Sequence, residues 1–190
     1  MPQHIYIIEH LEPQLWDWCV IEYKHISKTV GKGNVWFTNI QKKDVKTLEP
    51  YGKVFTASVK TMQLAKAAVL DPDAKELLTP QSASSASYFI FGGILGDNPP
   101  RKRTGPELTS FLPSAKSYNI GKAQMSTDNA AYVVHAIANG KPFEKIKFQD
   151  EIEIDIDEIE STILPYRYAL VDGKPFISKE LVTFLKKQSR

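Results

Sequence analysis

Tyr88-Phe-Ile-Phe-Gly-Gly-Ile-Leu-Gly-Asp-Asn-Pro-Pro-Arg-Lys-Arg-Thr104 is the stretch that decides the fold. Residues 88–91 are aromatic or β-branched and carry no charge, which predicts a buried strand. The chain then breaks at Gly92-Gly93, spends Ile94 and Leu95 on apolar contact, turns at Gly96 and places a carboxylate at Asp97. Pro99-Pro100 excludes a helix there, since proline lacks the amide hydrogen and clashes with the preceding turn. The product is a strand running into a rigid, glycine-lined loop with an acid at its tip. In α/β proteins, ligands collect where loops leave the carboxyl ends of strands. A dinucleotide or phosphate loop does not fit, because no helix can begin where it would have to cradle a phosphate. The loop suits a nucleoside held by backbone groups and apolar walls. A plain structural corner is the other reading of three glycines in five residues.

Working outward, residues 4–8 form a short β-rich run ending at Glu9-His10. Pro13 suits a helix start, and residues 14–30 read as that helix, stopped by Gly31. It is apolar on more than one face, with Leu15, Trp18, Cys19 and Ile26 on one and Trp16, Val20 and Tyr23 on another. Such a helix is buried on two sides or meets a partner. Glu22 falls on the first face and is expected to be satisfied by a hydrogen-bond donor. Further strands are predicted at 35–40, 53–56 (an edge), 67–70 and 116–120. Residues 59–66 read as a short helix or turn, and 107–111 as one helical turn in a long loop. The Ser/Ala-rich segment 79–87 reads as a loop. Ser126-Thr127-Asp128 offers N-cap chemistry for a helix over 129–138 that ends at Asn139-Gly140. Strands alternating with helices predict a mostly parallel α/β sheet.

Beyond residue 149 the pattern changes. Glu151-Ile-Glu-Ile-Asp-Ile-Asp157 alternates strictly, so its isoleucines face one way and its acids the other. Residues 164–170 and 174–177 read as a hairpin around Asp172-Gly173, and 178–188 as a closing helix. No linker sets this tail apart, so residues 1–190 form one domain, with 149–190 as a β-hairpin and helix extension.

The chain has 190 residues, 42% of them hydrophobic, enough for one globular domain with a real core. No apolar run reaches the length of a membrane span, and the first residues lack the basic region of a signal peptide. One cysteine, Cys19, excludes an internal disulfide, and His4, His10, His25 and His135 show no ligand spacing. A cytoplasmic protein without a metal is expected. The net charge is +2, yet residues 150–160 hold seven acids and no base, so the remainder is +9. A basic body with an acidic segment fits ribosome-like partners.

The central motif Gly92-Gly93-Ile94-Leu95-Gly96-Asp97-x-Pro99-Pro100-Arg101-x-Arg103-Thr104 resembles the signature of one SPOUT methyltransferase family. That family includes a yeast arginine methyltransferase of ribosomal protein and its archaeal relatives. Ile8-Glu9-His10 with Trp18 and Glu22-Tyr23, the run 124–128, and Pro165-Tyr166-Arg167-Tyr168 resemble it too. Together these pieces span nearly the whole chain. The resemblance implies a trefoil knot in the C-terminal half of the sheet and S-adenosylmethionine bound by three loops. Those loops would be Leu70-Asp71-Pro72, then Phe91-Gly92-Gly93-Ile94 with Gly96, then Ile120-Gly121 with Gln124 and Met125.

Arginine as acceptor poses a chemical problem, because its pKa lies above about 12 and the charged form lacks a free lone pair. Carboxylates must hold the guanidinium and a proton must leave. Glu9 and Asp97 are the expected catalytic acids, with Asp71 and Asp128 in reserve, and Asp128 and Arg101 are expected at the substrate. The expected activity is therefore methylation of an arginine on a basic small-subunit ribosomal protein. An RNA methyltransferase gripping phosphates through Arg101-Lys102-Arg103 is the alternative, and a non-catalytic cofactor-binding docking factor is the third reading. A monomer is favoured over a homodimer, with the tail covering the second face of the first helix.

Overall fold

The computed structural model describes residues 4–96, 99, 101–157 and 160–188. In chain order the elements are β1 (Ile5–His10), α1 (Asp17–Val30), β2 (Val35–Thr38), α2 (Val45–Leu48), β3 (Lys53–Val54), β4 (Ala67–Leu70) and β5 (Glu76–Leu77). There follow α3 (Pro80–Ser84), β6 (Tyr88–Gly93), α4 (Thr104–Glu107), β7 (Lys116–Asn119) and α5 (Thr127–Ala138). The tail holds β8 (Phe148–Asp155), β9 (Ser161–Val171), β10 (Lys174–Pro175) and α6 (Lys179–Gln188). Strands β1 to β7 make one parallel sheet in the order β3-β2-β1-β6-β4-β7-β5. This is the α/β class the alternation of elements predicts. Strand β6 lies at its centre, and both neighbours, β1 and β4, are buried runs of four or more residues.

The pleat sorts the core. Tyr6, Ile8, Phe89 and Phe91 face α1 and α5, while Ile7, Val69 and Ile90 face the opposite layer with Val59 and Leu108. Helix α1 turns Cys19, Tyr23, Ile26 and Val30 to the sheet. This places Tyr23 with Cys19 rather than on the second face expected for it. Ile21 points outward and is covered by Ile152, Ile154, Leu164, Tyr168, Leu181 and Leu185 of the tail. Ile21 is therefore covered from within the chain, while Trp16, expected on the second face, is 44% exposed.

The tail follows its alternation. Ile152 and Ile154 are buried, and β8 pairs antiparallel with β9 across a bulge between Asp150 and Ile152. Hairpin β9–β10 turns at Asp172 (φ 50°) and Gly173 (φ 76°), the mirror-image turn that matches strand twist.

Two local expectations fail, and one strand, β5, goes unanticipated. Residues 79–87 contain a helix, α3. Thr79 accepts from the Ser82 amide at 3.1 Å, Ser82 Oγ accepts from the Thr79 amide at 2.9 Å, and Pro80 sits in the first turn. Helix α1 begins at Asp17 and not beside Pro13. Strand β5, two residues long, has no periodicity to betray it. Among the described residues, no helix is long and apolar enough to cross a membrane.

Candidate active site

Strands β6, β4 and β7 are adjacent, so the loops at their carboxyl ends meet. They enclose a cavity of about 330 Å³. Leu70, Asp71 and Pro72 line it from the first loop, Phe91, Gly92, Ile94 and Gly96 from the second, and Ile120, Gly121, Gln124 and Met125 from the third. Arg101 lines it as well. The walls are mostly apolar and the glycines leave backbone bare, as a nucleoside needs. Asp71 is a turn acid at the rim, accepting from Thr109 Oγ1 at 2.6 Å and the Asp73 amide at 2.9 Å.

Gly93 does not belong to this lining. A Cβ there would overlap the Tyr23 hydroxyl and lie 3.1 Å from the Glu9 carbonyl oxygen. The residue is glycine so that α1 can approach the sheet. Gly96 is needed for a different approach, since a Cβ would overlap the Gln124 amide and come within 2.7 Å of Tyr166 Cε1.

Glu9 is also absent from the cavity. Strand parity puts its side chain on the face of Ile7, opposite Phe91. There its oxygens accept from Thr38 Oγ1 at 2.6 Å, the Val59 amide at 2.9 Å, and the Ser58 hydroxyl. It is fully buried and joins β1 to the end of β2 and to the segment after β3. A carboxylate with three internal donors is a structural joint, which corrects the expectation that it acts on substrate. Asp97 lies outside the described residues.

A second cavity of about 230 Å³ shares Ile94, Gly96 and Met125 with the first. Trp18, Glu22, Leu95, Ser126 and Tyr166 complete it. Glu22 is 5% exposed. Its Oε1 accepts from the Trp18 indole at 2.7 Å and its Oε2 from the Thr127 amide at 3.3 Å. Burial, and then the nearby charge of Asp128, pushes its carboxyl up to about 8. Each oxygen keeps a lone pair for a ligand. The expected hydrogen-bonded acid on α1 is thus the one that faces a cavity. Asp128 lines neither cavity. It stands behind Ser126, which donates to its Oδ1 at 2.6 Å, and His25 Nδ1 contacts its Oδ2 at 2.7 Å. Direct contact with substrate, expected of Asp128, is not what the geometry provides.

The tail walls the smaller cavity through Tyr166 and braces the loops of the larger one. Tyr166 donates its hydroxyl to the Gly96 carbonyl at 2.8 Å, and the Arg167 amide donates to the Gln124 carbonyl at 2.8 Å. Asn129 at the start of α5 donates to the Phe176 carbonyl at 2.9 Å and accepts the Ala169 amide at 3.0 Å. On the other side, Glu12 accepts from the Leu95 amide at 3.1 Å and from Arg103 Nη1 at 2.7 Å. Arg103 also reaches Glu107 and the Leu11 carbonyl. Glu12 and Arg103 therefore pin both ends of the proline loop to the end of β1.

A parallel sheet of this order, with a nucleoside-sized cleft over three neighbouring strand ends, defines a methyltransferase of the SPOUT class. The chain belongs to the SFM1-like protein arginine N-methyltransferase family, whose model matches residues 5–190. The protein arginine N-methyltransferase SFM1 of Saccharomyces cerevisiae is 35% identical over 202 residues, covering 97% of this chain and 95% of its own. The crystal structure of yeast SFM1 complexed with SAM matches with a TM-score of 0.89 at 33% identity, over 98% of this chain and 91% of that one. A Trm10 protein from Thermococcus kodakaraensis has a TM-score of 0.59 at 15% identity, over 75% of this chain and 96% of its own, and shares the fold alone.

Arg103→Gln tests the pinning. It removes charge-assisted hydrogen bonds worth about 1.5–3 kcal/mol each from the loop that walls the cleft. S-adenosylmethionine affinity, read by titration calorimetry, is expected to fall about tenfold or more, with the melting temperature lowered by several degrees.

Proposed function

We propose that the protein transfers a methyl group from S-adenosylmethionine to an arginine of a basic ribosomal protein, acting in the cytoplasm as a monomer. One observation carries the arginine reading. Beside the nucleoside-sized cleft lies a smaller cavity lined by a buried carboxylate, Glu22, and by the aromatic residues Trp18 and Tyr166. A guanidinium is planar, cationic and well matched to a carboxylate and aromatic faces. S-adenosylmethionine supplies a methyl already activated on a sulfonium. What remains for the chain is alignment and exclusion of water, which are worth roughly 7–11 kcal/mol. Gly96 and Met125 belong to both cavities, so donor and acceptor meet there. Glu22 fixes the guanidinium by charge, and Trp18 and Tyr166 fix its plane. Membership in the arginine methyltransferase family supports the same reading.

The exposed acids of β8, Glu151, Glu153 and Asp155, give a basic protein a surface to approach. The RNA reading is weakened by what its basic run does. Arg103 is spent on Glu12 and Glu107, and Lys102 on Asp73 at 3.1 Å. The monomer reading is supported by the tail's cover over Ile21 of α1. Incubation with methyl-labelled S-adenosylmethionine and dissociated ribosomal subunits is the test. Label recovered as methylarginine in one ribosomal protein is expected. Label confined to RNA overturns the reading.

A further inference from the structure

Methylating an arginine leaves one proton to dispose of. The N–CH₃ bond forms as the S–CH₃ bond breaks, and one N–H bond of the guanidinium must break with them. Glu22 is committed to pairing with the guanidinium's charge: its oxygens also accept from Trp18 and Thr127, and it is 5% exposed. Ser126 is the other polar side chain on the wall of the smaller cavity whose hydroxyl leads onward. It donates to Asp128 Oδ1 at 2.6 Å and accepts from Asn129 Nδ2 at 3.1 Å. Asp128 is buried, and its Oδ1 also accepts the Asn129 amide at 2.9 Å. Its Oδ2 meets His25 Nδ1 at 2.7 Å. The side chain of His25 is 15% exposed and stacks on Phe176 with ring centroids 4.4 Å apart. A hydroxyl on the cavity wall, a buried carboxylate behind it and an imidazole at the surface thus stand in line.

Resting on the arginine reading above, we propose that Ser126 relays the proton: it takes one from the acceptor guanidinium while passing its own to Asp128. The two carboxylates then have separate work. Glu22 holds the acceptor, and Asp128 receives the proton without touching the acceptor. His25 holds the Asp128 carboxylate in line and is where the buried pair meets solvent. No oxidant or further reactant is needed, since the donor is the sulfonium and the proton ends on Asp128 before exchanging with water.

The experiment compares Ser126→Ala and Ser126→Thr on the full-length protein with an arginine peptide cut from the labelled ribosomal protein. It repeats the assay with the arginine replaced by canavanine, whose guanidine loses its proton near neutrality. Ser126→Ala is expected to lower kcat about 10–100-fold, with KM and S-adenosylmethionine affinity within about twofold. Ser126→Thr, which keeps the hydroxyl, is expected to recover most of the rate. With the canavanine peptide, whose proton is already gone, wild type and Ser126→Ala should turn over at similar rates. Wild-type kcat in Ser126→Ala, a loss confined to KM, failure of Thr to rescue, or an equal defect on canavanine each overturns the relay. If the wild type labels no arginine at all, the arginine reading fails first, and the two failures are told apart.

Discussion

Glu22→Gln is expected to lower kcat/KM for an arginine acceptor by about 10²–10³-fold while leaving S-adenosylmethionine affinity unchanged. The exchange keeps the shape of the side chain, and its carbonyl oxygen can still accept from the Trp18 indole. It removes the charge opposite a desolvated guanidinium, and stripping one partner from a buried ion pair costs about 3–5 kcal/mol. The loss should be read in KM and kcat/KM from steady-state kinetics on a peptide, with cofactor binding measured separately. A variant with wild-type kcat/KM would place the acceptor elsewhere.

The wild type should also carry the titration of this group. Its carboxyl is raised to about 8, chiefly by burial and then by Asp128. Binding a cation requires the ionised form, so below that value the acceptor must expel a proton. KM for the peptide is expected to fall as pH rises from about 6 to 8, by up to about tenfold per pH unit, and Glu22→Gln should flatten the profile. Stability runs the other way. Between the ordinary carboxylate range and about 8, folded Glu22 keeps a proton that the unfolded chain has released. Its contribution is therefore lost as pH rises through that window, by at most about 1.4 kcal/mol per unit. Thermal melts of wild type and Glu22→Gln across this range check the sign.

Much of the sheet was legible because buried parallel strands are continuous apolar runs. Residues 88–91 and 67–70 could hardly be anything else, and the loops after β4 and β6 begin where those runs stop; that they share a site with the loop after the polar strand β7 is what the family resemblance implied. The alternation after residue 150 gave the tail strand with its buried face. What could not be read was which acid is free. Glu9 and Glu22 look alike in sequence, but the partners that consume Glu9 come from Thr38, Ser58 and Val59, roughly 30 to 50 positions away. The register sets Glu9 beside Gly92 of β6, on the face opposite Phe91 where those partners lie. Glu22 did carry a local signal: Trp18 lies four residues earlier on the same helix face, where an indole can reach it. Helix α3 was hidden by its composition, yet Thr79-Pro80-x-Ser82 is a start signal that outweighs a lack of apolar periodicity. Gly93 shows the limit of reading glycines as ligand contacts. Its missing side chain serves Tyr23, on the far side of the strand from the purpose its neighbour Gly92 serves.

Gly96→Ala is expected to weaken S-adenosylmethionine binding about 10–100-fold and to loosen the tail at the same time. The new methyl would meet the Gln124 amide, which can swing aside, and Tyr166 Cε1 at 2.7 Å, which cannot. The Tyr166 ring is fixed by its own hydrogen bond to the Gly96 carbonyl and by β9, whose Arg167 amide holds the Gln124 carbonyl. The loop after β6 must therefore part from the loop after β7 or push β9 outward, and overpacking of this kind costs about 1–3 kcal/mol. Tyr166→Phe is the control. It loses only the hydroxyl bond, worth about 1 kcal/mol, and should weaken cofactor binding no more than about fivefold. Tyr166→Ala gives the decisive comparison, because it removes the obstacle as well as the bond. If steric conflict is the cause, Gly96→Ala in the Tyr166→Ala background should cost much less than in the wild type, a coupling of about 1 kcal/mol or more in a double-mutant cycle. Full additivity would mean that Gly96 serves the ligand directly and that the extension does not set the shape of the cleft.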